Sequence, residues 1–230
     1  MKTIADKIIA FNAGLHYTDS LPEGFSVLNP FRENPETIQV MKQFYHKFYN
    51  DQKPRKFIIG INPGRHGAGL TGVPFTDTKR LEQACGITMQ SAHSHEVSAV
   101  FVYDMIEQYG GVEKFYRDFY INSVFPLAIV RETKKDKWVN ANYYDDKTLA
   151  ESLKSYMIKS LKKQIAMGLH TDTAFVMGKK NADFVNAINK TEKLFGKLIV
   201  LEHPRFIQQY RSKHKQDYID KYLKAFDEAE

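Results

Sequence analysis

Cysteine is almost missing from this sequence: Cys85 is the one thiol among 230 residues. No disulfide can close within the chain, and one thiol cannot assemble a cysteine-ligated zinc or iron–sulfur site. Long hydrophobic runs are missing too, since none approaches the ~20 residues that span a bilayer. The N-terminal segment MKTIADKIIAFNAG has too brief an apolar run for a secretory signal and carries Asp6. Together these shortages predict a cytoplasmic protein with no membrane partner. The GKS/T ending of a phosphate loop does not occur, which argues against nucleotide hydrolysis. There is no internal repeat and no low-complexity segment.

What is present fits one domain spanning 1–230, with 1–55 as a helical segment packed on it. Apolar residues make up 43% of the chain, enough for a sizeable core. The net charge of +6 and a pI near 9.1 suit a polyanionic partner, although many ordinary proteins are basic.

The stretch from Lys56 to Asp77, KFIIGINPGRHGAGLTGVPFTD, organises the rest. Phe57 to Ile61 is short, apolar and β-branched, and reads as a buried strand. Asn62-Pro63-Gly64 ends it abruptly and leaves Asn62 at its carboxyl end, where ligands bind in open α/β sheets. Gly64, Gly67, Gly69 and Gly72 follow and allow a backbone to approach a ligand. Pro74-Phe75 then presents an aromatic ring. An amide, bare backbone and a fixed ring suit a flat polar heterocycle.

Along the chain, helices are predicted over 3–15, from Pro35 onward, over 79–91, 96–109, 147–168 and 179–190, with a further turn at 112–118. Strands are predicted at 119–125, 174–177 and 197–201. Segments 17–35 and 131–146 read as irregular or surface loops by composition. A closing helix would place Tyr210, His214, Tyr218, Tyr222 and Phe226 along one side. Strands alternating with helices give a three-layer α/β/α class with a central, mainly parallel four-stranded sheet. One rim of that sheet would collect Asn62, Asn122, Gly178 and His203.

Taken singly, these residues have ordinary explanations. Asn62 before a proline is a common turn residue. Phe75 could be core, His203 a surface-loop histidine, and Asn122 a buried amide satisfying a neighbouring backbone group. Arg205, Arg211, Lys213 and Lys215 beside Tyr210 could be a solvated helix face or an edge that grips phosphates.

The set and its order say more. A strand ending in GINPG, then TGVPF, then an asparagine-bearing strand running to Phe-Pro-Leu, then a strand followed by His-Pro, resembles the uracil-DNA glycosylase superfamily. The likeness is strongest to its single-strand-selective monofunctional (SMUG-like) branch, and covers about Lys56 to Phe206. The resemblance implies a DNA repair glycosylase that hydrolyses the N-glycosidic bond of uracil, or of a related deaminated base such as xanthine, without a lyase step, metal or organic cofactor. It implies DNA as partner and a monomer. Asn62 would position the attacking water and His203 would stabilise charge at the departing base. Phe75 would stack on the base, Asn122 would read its edge, and backbone at Ile61 and Gly64 would line the pocket. Arg65, His66, Arg205, Phe206, Gln208, Tyr210, Arg211 and Lys213 are the DNA-contact candidates. The segment after His-Pro departs from the family's usual Ser-Pro-Arg, which leaves Phe206 or Arg205 as the wedge, or a reduced wedge. A catalytically silent DNA-binding module and a hydrolase of free nucleotides remain open as alternatives.

Overall fold

The computed structural model describes residues 1–229. Helix α1 (Ile4–Ala13) opens with a capping box between Thr3 and Asp6. It is fastened to the body by Ile4 N–H to the Asp51 carbonyl (2.7 Å) and Lys7 Nζ to the Met167 carbonyl (3.0 Å). Strand β1 (Phe25–Leu28) and helices α2 (Pro30–Glu33) and α3 (Pro35–Phe48) follow. Both helices begin with proline, whose missing N–H costs nothing there, and Asn29 and Asn34 cap them.

Next come β2 (Arg55–Gly60), α4 (Ala68–Thr71), α5 (Thr78–Gln83), α6 (Val97–Tyr109), α7 (Val112–Asp118) and β3 (Phe119–Ser123). The remaining elements are β4 (Ala128–Glu132), β5 (Trp138–Ala141), α8 (Lys147–Ile165), β6 (Leu169–Met177), α9 (Lys179–Glu192) and β7 (Lys197–Leu201). Helix α10 (Pro204–Tyr210), a 3-10 turn (Ser212–His214) and α11 (Lys215–Asp227) close the chain.

The expected α/β/α fold is present. A four-stranded sheet in the order β3-β2-β6-β7 is parallel throughout. Strands β2 and β3 and the second half of β6 are buried on both faces, as the centre of a parallel sheet requires, while the edge strand β7 is partly exposed. On one face Phe119 and Phe175 meet Phe226 of α11, with ring centroids 4.4 and 4.9 Å apart. On the other, Phe57 and Tyr120 meet Phe195 and Tyr49 (6.2 Å in each pair).

Four sequence expectations are corrected. The segment 17–35 contains β1 and α2, and 131–146 contains the end of β4 and all of β5; β1, β4 and β5 form a second, antiparallel sheet. The helix expected over 79–91 is only α5, because Gly86 takes a positive φ of 65° and Ile87 N–H turns back to the Leu81 carbonyl at 3.0 Å. The closing helix is broken at Arg211, so Tyr210 ends α10 and is not on the face of α11 that buries Tyr222 and Phe226. His214 is likewise exposed and outside α11.

Candidate active site

The carboxyl ends of β2 and β7 open onto one cavity of about 200 Å³, lined among others by Asn62, Phe75, Glu96, Asn140, His203 and Arg205. That is small beside the ~300–1,000 Å³ of drug-sized pockets and suits a single ring. Ile61, Gly64 and His66 also line it. Asn62, after the inner strand β2, and His203, after the edge strand β7, are thereby brought to one place.

Asn62 is held by the small sheet. Its Oδ1 accepts from Tyr143 N–H at 3.1 Å, and its Nδ2 donates to the Ala141 carbonyl at 3.0 Å. Amide rotation would exchange donor and acceptor against two fixed backbone groups, so the carboxamide has one orientation. Its second Oδ1 lone pair stays available. Sequence reasoning missed this clamp because it placed β5 in a loop.

The TGVPF segment forms a tight turn pinned by Thr71, a buried residue. Its Oγ1 accepts from Val73 N–H (3.2 Å) and donates to the Thr76 carbonyl (2.7 Å). Between them Phe75 takes φ of 53°, in the left-handed region that L-residues avoid. Such strain costs on the order of 1–3 kcal/mol and persists where surroundings impose it. The ring lies at the end of β2, where a Cβ on Gly60 would come within 3.2 Å of it. Only glycine leaves Phe75 there undisturbed.

His203 caps α10: its Nδ1 accepts from Arg205 N–H at 3.1 Å. Nδ1 therefore carries no proton, and the neutral ring bears its hydrogen on Nε2. Burial, then the neighbouring Arg205 charge, push the imidazolium pKa down to about 4. Near pH 7 His203 is a neutral donor. Its ring centroid is 5.9 Å from that of Phe75.

Asn122 is not brought to this cavity. It is buried, donates through Nδ2 to Tyr120 Oη at 2.6 Å, and accepts from Ser123 N–H at 2.8 Å. Strand residues alternate faces, and Asn122 shares the Tyr120 face, away from Phe75. The polar side chain on the Phe75 side is Ser123: a Cβ on Gly60 would lie 3.4 Å from its Oγ and 3.2 Å from Phe75.

The rim carries aromatic and basic groups on two sides. Arg65 is tied to β5 by its N–H to Asn140 Oδ1 (3.2 Å) and its Nη1 to the Trp138 carbonyl (2.8 Å), and its Nε contacts His66 Nε2 at 3.2 Å. Trp138 is substantially exposed. From α10, Phe206 and Tyr210 are exposed, 5.8 Å apart, and the Arg211 guanidinium lies 5.6 Å from the Phe206 centroid. Gln208 is half-buried with an unpartnered Oε1, and Lys213 lies in the exposed 3-10 turn. Among the described residues no group of three or more His, Cys, Asp or Glu side chains is placed to hold a metal. No helix among them is long and apolar enough to cross a membrane.

Comparison with known proteins bears on the family and the fold. The family model described as the uracil DNA glycosylase superfamily matches residues 46–227. A search of curated proteins finds no match. Among solved structures, wild-type Pedobacter heparinus SMUG2 superposes with a TM-score of 0.97 at 47% identity, over 100% of this chain and 99% of that one.

Proposed function

Because this chain belongs to the uracil-DNA glycosylase superfamily, we propose that its cavity receives one base flipped out of DNA and hydrolyses its N-glycosidic bond. The enzyme is a uracil-DNA glycosylase-type hydrolase of base-excision repair, in the SMUG-like branch. The observation that carries the assignment of roles is the meeting, in one cavity, of a clamped carboxamide, a strained aromatic ring and a neutral imidazole.

Bond cleavage places positive charge on the sugar and negative charge on the departing base. A fixed Nε2–H from His203 meets that negative charge without needing to reorganise. A neutral ring also leaves the base no proton to steal in the ground state. Asn62 holds the attacking water through the free lone pair of Oδ1. Phe75 stacks on the base, and Ile61 and Gly64 form the wall behind it. The target leaves the duplex stack to enter, and Phe206, with Tyr210 and Arg211 behind it, fills or grips the gap. Arg65 and His66 contact the strand from the opposite rim, joined by Gln208 and Lys213 at its edge.

With Asn122 turned away, Ser123 Oγ is the polar group nearest the stacking ring on that strand. A hydroxyl donates or accepts by rotating. It therefore separates base edges less sharply than a fixed amide, which favours acceptance of xanthine beside uracil. The protein acts as a monomer.

The test is release of free base from oligonucleotides carrying uracil, xanthine or hypoxanthine, with Asn62→Ala and His203→Ala in parallel. Release by the wild type and loss in both variants is expected. Equal activity in all three proteins would refute the assigned roles.

A further inference from the structure

Glu96 is the acidic side chain among those lining this cavity, and the proposed chemistry has not used it. It occupies the N-cap position of α6, yet its side chain makes no capping bond. Its backbone N–H instead goes to Asp77 Oδ2 at 2.7 Å, and this fixes where the residue starts. Asp77 is fully buried and anchored in turn by Arg80 N–H (2.9 Å) and Arg80 Nη1 (3.0 Å). The Glu96 carboxyl leaves the helix and lies against the glycine loop that follows β2. A Cβ on Gly67 would fall 2.2 Å from Oε2, so only glycine admits the carboxyl there. A Cβ on Gly64 would lie 3.7 Å from Oε1. Oε2 is buried and has no hydrogen-bond partner.

A buried acceptor without a partner has lost its hydration with nothing in return. Folding alone would favour filling this position with a capping serine or an apolar group. The charged and titratable neighbours have been arranged around it from several elements. Asp77 at the N-cap of α5 repels its negative charge, and Arg205 of α10 attracts it. His203 shares the cavity as a neutral ring, while His66 and Asn140 line it from the loop and β5. His95 is directed to Asp77, Nδ1 to Oδ2 at 3.6 Å. Burial first, and Asp77 second, raise the carboxyl to about 7. A general base works best when its pKa is near the operating pH.

We propose that Glu96 is the general base of this pocket and takes the proton of the water held by Asn62. The carboxyl lies against Gly64 and Gly67 of the loop that follows Asn62, and both side chains line the same cavity. In the step itself the water oxygen bonds to C1′ as the C1′–N bond breaks. The bonding pair leaves with the base, whose charge faces His203, and the water proton passes to Glu96. Solvent later protonates the base and accepts the proton from Glu96. The proposal rests on the glycosylase reading above.

The test is the single-turnover rate of base release against pH, from about 5 to about 9, for wild type and Glu96→Gln. The wild-type rate should rise with pH and level above about 7. Glu96→Gln keeps the shape of the side chain and should be slower by about 10²-fold, without that ascending limb. Its melting temperature should be unchanged or higher, because an unpaired buried charge is gone. Infrared difference spectra of the DNA-free protein give a second readout: a carboxyl band titrating near neutrality in wild type and missing from the variant. An active wild type whose ascending limb survives in Glu96→Gln overturns the role of Glu96 alone. So does a descending limb, or a carboxyl that stays ionised down to pH about 5. A wild type that releases no base from any substrate overturns the glycosylase reading together with it.

Discussion

The imidazole of His203 accepts the backbone N–H of Arg205 at 3.1 Å through Nδ1, so one contact both caps α10 and fixes the tautomer that faces the cavity. The Nδ1 edge serves the helix and leaves the Nε2 edge for the proposed chemistry. In the proposed mechanism, replacing His203 with alanine removes the donor that faces the departing base. The rate of base release should drop by about 10²–10³-fold, as for loss of one preorganised oxyanion donor. Single-turnover assays on a uracil-containing oligonucleotide check this.

The same ring gives a stability signature. Its pKa is depressed to about 4 in the folded protein, against 6.5 when unperturbed. Between those values the unfolded chain binds more protons than the native one. The contribution is complete above pH 6.5 and is lost as pH falls toward about 4. Denaturant unfolding across that window should show stability declining with acid, and His203→Gln should flatten the decline.

Gly60 and Phe75 are coupled by contact. Gly60→Ala would set a methyl 3.2 Å from the ring, so the ring must shift by tenths of an ångström. Activity should fall about tenfold while the melting temperature changes little, since small misplacements of reacting groups are costly. Thr71→Val should act through the same ring from the other side. It removes the hydroxyl that pins both ends of the turn, at a cost of about 1–3 kcal/mol. Thermal melts and substrate affinity, measured together, separate the two effects.

Much of this site can be read in the sequence, and the failures have physical causes. GINPG marks a strand that stops, and the proline and glycine make that stop local, so Asn62 is found without tertiary information. The clamp on Asn62 cannot be found so. Strand β5, Trp138–Ala141, has two exposed polar-facing positions in a lysine-rich stretch, and only its pairing with β4 identifies it as a strand. Strand β3 is buried at all five positions. An apolar strand covered on both faces has no alternation to reveal its phase. The sequence therefore could not say whether Asn122 or Ser123 faces Phe75. Glu96 left no motif at all: its environment comes from Asp77, Gly67 and Arg205, which meet only in the folded chain.

The basic rim should govern affinity separately from chemistry. Arg211→Ala removes one cation beside the exposed Phe206 ring. Binding to non-cleavable DNA should weaken on all sequences, and the slope of log K against log salt should lessen by about one. Phe206→Ala should instead lower cleavage of duplex more than of single strands, because only the duplex needs its vacated stack supported. Filter-binding titrations over a salt series, with matched cleavage assays, distinguish the two.

The face assignment on β3 supports one paired experiment. Asn122 bonds Tyr120 Oη and Ser123 N–H on the side away from Phe75. Asn122→Ala leaves both partners buried and unpaired, so the protein should lose about 1–3 kcal/mol of stability, while its ranking of uracil against xanthine stays as it was. Ser123→Ala removes a hydroxyl that rotates to suit either edge, with little change in packing volume. It should leave the melting temperature nearly unaltered and shift the ratio of rates on the two bases. Competition assays with both substrates, run beside thermal melts, check the pair. A base preference that follows Asn122 and ignores Ser123 would mean that the strand shifts register by one residue when DNA binds.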